Sequence, residues 1–128
     1  MNLVRRLVCV LFVVWLAGGC GFLAGAAVAG AGVVYVKGEA SKLYPRDVPE
    51  VYDVAVATLE ELDVIFTERL EGDEAATIKG RTAGAEALTM RIERQAEGVV
   101  KVKLRIGLLG NRDYSQAIFS RMDRKLGL

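Results

Sequence analysis

Residues 47–66, DVPEVYDVAVATLEELDVIF, contain the change of hydrophobic period on which the reading of this chain turns. Val48, Val51, Tyr52, Ala55, Val56, Leu59 and Leu62 recur at helical spacing, so the segment predicts an amphipathic helix over 47–62 with one apolar stripe. Asp47 is placed to cap the free amides, Pro49 suits the first helical turn, and Glu50 is the expected capping-box partner. Glu60, Glu61 and Asp63 at the far end read as a solvated helix terminus, because no apolar neighbour would raise a carboxylate pKa there. From Val64 onward the period falls from 3.6 to 2.

Working toward the C-terminus, Val64, Phe66 and Leu70 are expected on one face of a strand that turns at Glu71, Gly72 and Asp73. Ala76 and Ile78 belong to the next strand, which turns again at Ala83 and Gly84. Leu88, Met90 and Ile92 alternate with Thr89, Arg91 and Glu93 on the one after. In the last hairpin, Leu88/Met90/Ile92 and Val100/Val102/Leu104/Ile106 must face the same core, which fixes the parity of pairing. A three-residue loop at Ala96, Glu97 and Gly98 satisfies that parity and sets Ile92 opposite Val102 and Glu93 opposite Lys101. Gly107 and Gly110 end the sheet. Asn111 or Asp113 then caps a final helix with Tyr114, Ala117, Ile118, Met122 and Leu126 on one side, and Gly127 stops it.

Working toward the N-terminus, VVYVKGEASKLYP (33–45) reads as a single first strand carrying Val34, Val36 and Leu43, bent at Gly38 and ended by Pro45. The order β-α-β-β-β-β-α predicts an α+β fold: a five-stranded antiparallel sheet with two helices on one face. Placing the first strand beside the last gives the spatial order 1-5-4-3-2.

With 128 residues there is room for one folded domain, assigned to 33–128. The 52% hydrophobic content is inflated by the first 36 residues, whose only charges are Arg5 and Arg6. Those arginines precede the uncharged run Leu7–Leu16, then Ala17, Gly18, Gly19 and Cys20. This is the basic, apolar and small-residue succession of a secretory signal. The apolar run spans about 15 Å as a helix, half of a bilayer core of about 30 Å. Removal of residues 1–19 takes 17 basic and 16 acidic residues to 15 and 16, so no global attraction to nucleic acid follows.

Gly18, Gly19 and Cys20 resemble the lipobox of bacterial lipoproteins, with the bulky aliphatic residue shifted one place back, to Leu16. The resemblance implies cleavage before Cys20, fatty-acyl chains on its thiol, and partition with a membrane through that lipid. Gly21, in place of the aspartate that retains proteobacterial lipoproteins at the inner membrane, implies the periplasmic face of the outer membrane in a Gram-negative source. Residues 20–32 would then be a lipidated Gly/Ala-rich tether. Ala17, Gly21, Gly25 and Ala29, spaced by four, also fit a membrane-associated helix with a small-residue face. A third reading joins Leu7 to Val36 as an uncleaved span. More widely, Gly19–Val36, Leu43–Pro45, Val51–Leu62 and Val100–Gly107 resemble a family of small bacterial lipoproteins known only as a domain of unknown function, with which no catalytic residue comes.

The chain has no histidine, which excludes Ser-His-Asp and Cys-His catalysis and histidine metal sites. The glycines of 18–32 carry no phosphate-loop pattern. No enzyme, cofactor or metal is expected. Lys79, Arg81, Arg91, Lys101, Lys103 and Arg105 fall on the predicted outer sheet face, relieved mainly by Glu93, where they could meet an anionic surface such as lipid head groups or a sugar phosphate polymer. The same residues also read as an ordinary solvated face whose lysines discourage edge pairing. The expected function is a membrane-anchored envelope lipoprotein with a non-enzymatic binding or scaffolding domain for another envelope component. Two alternatives stand beside it: a carrier of small apolar ligands or lipids, and a single-pass protein oligomerising through its glycine-rich helix.

Overall fold

The computed structural model describes residues 2–4, 6–7 and 32–128. The signal run from Val8, Cys20 and the tether to Ala31 lie outside the described residues. Residues 2–4 and 6–7 are helical and exposed. Gly32–Leu128 forms a compact unit of its own. Among the described residues no helix is long and apolar enough to cross a membrane.

The unit contains β1 (Val34–Val36), β2 (Glu39–Tyr44), α1 (Val48–Glu61), β3 (Ile65–Leu70), β4 (Ala75–Arg81), β5 (Ala87–Ala96), β6 (Val99–Ile106) and α2 (Arg112–Leu126). The α+β class is as expected, but among the described residues the antiparallel sheet has six strands, in the order β1-β2-β6-β5-β4-β3. The expected five-stranded β-α-β-β-β-β-α order is therefore corrected to β-β-α-β-β-β-β-α. The expected single strand 33–45 folds into a hairpin at Lys37 and Gly38, whose φ values of 51° and 80° make the doubly left-handed turn that suits strand twist. Lysine at the first of these positions is unusual, so the dipeptide does not announce a turn. The remaining order, β2-β6-β5-β4-β3, is the predicted 1-5-4-3-2.

The last hairpin has the predicted register, Ile92 opposite Val102 and Glu93 opposite Lys101. It closes differently: β5 runs on to Ala96 through a bulge between Arg94 and Ala96, and Glu97–Gly98 alone make the turn. β3 carries a second bulge, between Phe66 and Glu68. It reverses the faces, so Leu70 does not join Phe66 on the core side but is 58% exposed, and Arg69 stands opposite the buried Ile78.

α1 buries Val48, Val51, Tyr52, Ala55 and Leu59 as its spacing predicts, while Val56 and Leu62 are half-buried. Thr58 joins the buried stripe because its hydroxyl donates to the Val54 carbonyl, 2.8 Å away. Asp47 holds the N-cap position without a side-chain hydrogen bond, and Glu50 turns back to Arg46 at 3.5 Å, so the expected capping box does not form. α2 is capped by Asn111, whose side chain accepts from the Tyr114 amide, and stopped by left-handed Gly127. Its buried face is Ser115, Ile118, Phe119, Met122 and Leu126; Ala117, expected on that face, is exposed. Both helices cover one sheet face, α1 over β4 and β5, α2 over β2 and β6, and they touch each other. Between the layers lie Tyr44, Leu59, Ile78, Met90, Leu104 and Phe119, each fully buried.

At one end of the sheet the β6–α2 loop presses on the β1–β2 turn. Gly110 (φ 81°) has the Tyr35 hydroxyl at 2.1 Å and the Gly38 carbonyl oxygen at 2.4 Å from where a Cβ would stand. Gly98 (φ 70°) turns in open space. Gly98→Ala should therefore cost about 1 kcal/mol of stability, the backbone penalty alone, and Gly110→Ala about 2 kcal/mol or more, because strain and a backbone clash add. Urea melts of the two variants check this; equal losses would show that the loop–turn contact contributes nothing.

Candidate functional site

The strands place their residues by alternation. On β6 the side chains of Val100, Val102, Leu104 and Ile106 are buried under the helices, so Lys101, Lys103 and Arg105 project from the opposite face at spacings of about 7 Å. Arg91 on β5 is directly opposite Lys103, and Lys79 and Arg81 alternate with the inward Ala76 and Ile78 on β4. All six predicted cations thus share the outer face, but the structure brings only three of them into one hollow. Glu39, Thr89, Arg91, Lys103 and Arg105 line a shallow basin of about 210 Å³.

The basin's charges are unequally satisfied. Lys103 pairs with Glu93 at 3.2 Å. Arg105 donates one guanidinium nitrogen to the Lys37 carbonyl at 2.9 Å and another to the Leu108 carbonyl at 3.2 Å. Both acceptors are neutral, and Arg105 forms no ion pair with a described residue. Arg91 forms no ion pair or side-chain hydrogen bond with a described residue, and a second cation directly across the strand pair is unfavourable by a few tenths of a kcal/mol to about 1 kcal/mol. Glu39, opposite Arg105 on β2, is the acidic residue in the lining. Outside the basin, Lys79 pairs with Glu68 at 3.2 Å, Arg81 reaches the Ala85 carbonyl at 3.4 Å, and Lys101 lies in the row of Glu93 and Leu43. Sequence reasoning missed Glu39 and Thr89 as lining residues. Thr89 was legible from its parity with Arg91, whereas Glu39 needed the β2–β6 register.

Two other hollows differ in kind. One, of about 450 Å³ beside α1, is lined by Tyr52, Asp53, Val56, Arg69 and Glu71; its Arg69 guanidinium already lies 5.1 Å from the centre of the Phe66 ring. The other is lined by Glu61, Arg121, Arg124 and Lys125. There Glu61 receives a hydrogen bond from Lys125 and lies 3.7 Å from Arg121. The Lys125 bond holds the Glu61 carboxyl below its usual 4.5, opposed by partial desolvation and aided by the charges of Lys125, Arg121 and Arg124. The group stays solvated, as the sequence suggested.

A partly buried polar cluster joins β2 to α2. Lys42 Nζ lies 2.5 Å from Asp123 Oδ2 and 5.5 Å from the centre of the Tyr44 ring. The Tyr44 hydroxyl and Asp123 Oδ1 are buried without a hydrogen-bond partner. Burial pushes the Tyr44 phenol well above its usual 10.0, and the Asp123 charge adds to that. The carboxylate also draws weakly on the phenolic proton, yet the two groups miss hydrogen-bond geometry. The Lys42–Asp123 pair ties α2 to β2. Among the described residues no group of three or more His, Cys, Asp or Glu side chains could hold a metal.

Fold and basin together define a small two-layer α+β unit with one sheet face covered by helices and the other left to cations. A family model described as "Protein of unknown function (DUF3568)" matches residues 2–125, and the chain belongs to that family. No curated protein matches it.

The Tyr44 hydroxyl gains nothing in the fold, so Tyr44→Phe should be neutral or stabilising by up to about 1 kcal/mol. Its raised pKa means the native state keeps a proton that the unfolded chain releases above pH 10.0. Wild-type stability should accordingly fall as pH rises past that value, and the variant should fall less. Denaturant melts from pH 8 to 11 check both signs; a clear loss at neutral pH would show that the hydroxyl has a structural partner.

Proposed function

We propose that the chain is a lipid-anchored protein of the bacterial cell envelope whose folded unit binds an anionic partner through the basin of Arg91, Lys103 and Arg105 and performs no covalent chemistry. The observation that carries the binding reading is the Arg91–Lys103 pair. Two cations face each other across adjacent strands, one of them without a described counter-ion, where any anion seated between them removes the repulsion. Near an anionic surface each basic residue contributes about 1 kcal/mol of attraction. The non-enzymatic reading rests on the lack of histidine and on a basin without a nucleophile–base pair. The anchoring reading rests on Arg5 and Arg6, the apolar run and Cys20 in the sequence; with Gly21 after the cysteine, the outer membrane's periplasmic face is the location proposed for a Gram-negative source. The apolar-carrier alternative has less support, because the space between sheet and helices is occupied by Phe119, Tyr44, Leu59 and Met90.

Two measurements bear on these halves separately. Intact mass spectrometry of membrane-extracted protein should give a chain beginning at Cys20 and carrying acyl groups, with processing lost in Cys20→Ser; an unmodified full-length mass would sink the lipoprotein reading. On immobilised polyphosphate, Arg91→Glu/Lys103→Glu should elute at distinctly lower salt than Arg69→Glu/Arg124→Glu, which changes net charge equally on other surfaces. Identical elution would mean that net charge, and not the basin, does the binding.

A further inference from the structure

The β6–α2 loop presents two adjacent leucines to solvent, Leu108 at 94% and Leu109 at 91% exposure. Single exposed leucines are common on protein surfaces; two in succession at the tip of a braced loop are not explained by packing. The brace is polar and acts on the backbone alone. Arg105 donates to the Leu108 carbonyl, the Tyr35 hydroxyl donates to the Leu109 carbonyl at 3.5 Å, and Gly107 and Gly110 hold φ values of 71° and 81° on either side. The loop backbone is thus fixed against the β1–β2 turn while its apolar side chains are left outside. Val36, 58% exposed, stands on the outer face next to that turn.

Arg105 links this tip to the basin, since the guanidinium that holds the Leu108 carbonyl also lines the hollow with Arg91 and Lys103. An apolar tip beside a cationic face is the pattern of an interfacial membrane contact, with apolar groups entering the headgroup–acyl boundary and cations meeting lipid phosphates. The tip is too small for a stable protein interface, which needs about 1,000 Å² or more. We propose that Leu108 and Leu109 insert into an anionic bilayer, so that the basin's ligand is lipid phosphate and the domain docks on its membrane by this end of the sheet. This deepens the binding reading above and rests on it. If Cys20 carries lipid, the residues between it and Gly32 reach about 40 Å at full extension, which keeps the tip within range of the same surface.

The test is depth-sensitive fluorescence on the full chain, in a Trp15→Phe background that removes the sole native tryptophan. Leu109→Trp reports on the tip, and Glu97→Trp on the β5–β6 turn at the opposite end of β6. The protein is reconstituted in vesicles of phosphatidylcholine and phosphatidylglycerol with brominated acyl chains. The Leu109→Trp reporter should be quenched severalfold more by bromolipid than the Glu97→Trp reporter, should be shielded from iodide, and should lose both effects in pure phosphatidylcholine. Equal quenching at the two positions overturns the proposal, as does a blue shift of the Leu109→Trp emission that depends on protein concentration without lipid, which would indicate self-association. If the Leu109→Trp reporter stays in water while the Arg91→Glu/Lys103→Glu effect on polyphosphate holds, this inference fails and the anion-binding reading survives. If both results are negative, both fall.

Discussion

The pairing of β2 with β6 is the contact on which the rest of the folded unit depends. It runs from Glu39 opposite Arg105 to Tyr44 opposite Val100 and joins segments far apart in the chain. Closing so long a loop costs entropy before any contact compensates it, and the return comes from both faces at once. On the covered face it brings Ala40 and Tyr44 into the core and sets Lys42 under Asp123, which fastens α2. On the outer face it delivers Glu39 to the basin and carries the Lys37–Gly38 turn to Arg105 and the Gly110 loop. Without this pairing α2 would lose its contacts with β2, and the basin would lose one wall.

The two faces of the sheet answer to different physics. Under the helices, aliphatic and aromatic side chains exclude water, and most polar groups admitted there are tied down, Thr58 to its own helix, Ser115 to the Asn111 carbonyl and Lys42 to Asp123, while the Tyr44 hydroxyl has no partner. On the other face two of the cations are balanced in local pairs, Lys79 with Glu68 and Lys103 with Glu93. Arg91 stands outside those pairs and directly across from a member of one of them. A sequence shaped for stability alone would place an acid or a threonine opposite Lys103, and the departure is of the kind expected where a surface serves a ligand.

Much of the architecture was legible because alternation and helical spacing leave few choices. The hairpin of β5 and β6 had to keep two apolar sets on one face, so Ile92 could only meet Val102 or a partner of the same parity. The same alternation put Arg91, Lys103 and Arg105 on the outer face together. Reading failed where one residue changes the parity or where a turn lacks its usual residue types. The bulge after Phe66 sent Leu70 to the outer face and put the exposed Arg69 opposite Ile78, and no side-chain pattern distinguishes that from a regular strand. Lys37–Gly38 hid a hairpin, because a lysine in left-handed conformation is tolerated there through its neighbours' contacts. On α2 Ala117, expected on the buried side, is exposed, and Phe119, which the stripe did not name, is buried with its ring 6.3 Å from that of Tyr44.

By itself, then, the sequence determined the class of fold, most helix and strand faces and the side of the sheet on which the cations stand, because each follows from periodicity along a short segment; the order from β2 to β3 followed from a meander with its first strand set beside its last. Tertiary structure alone decided that Glu39 and Thr89 complete a basin with three of the six cations. It also decided that Lys42 turns inward to Asp123, and that Arg105 ties the basin to a braced loop with two leucines in water. These depend on register and contact between segments distant in the chain, and no local pattern of residues specifies either.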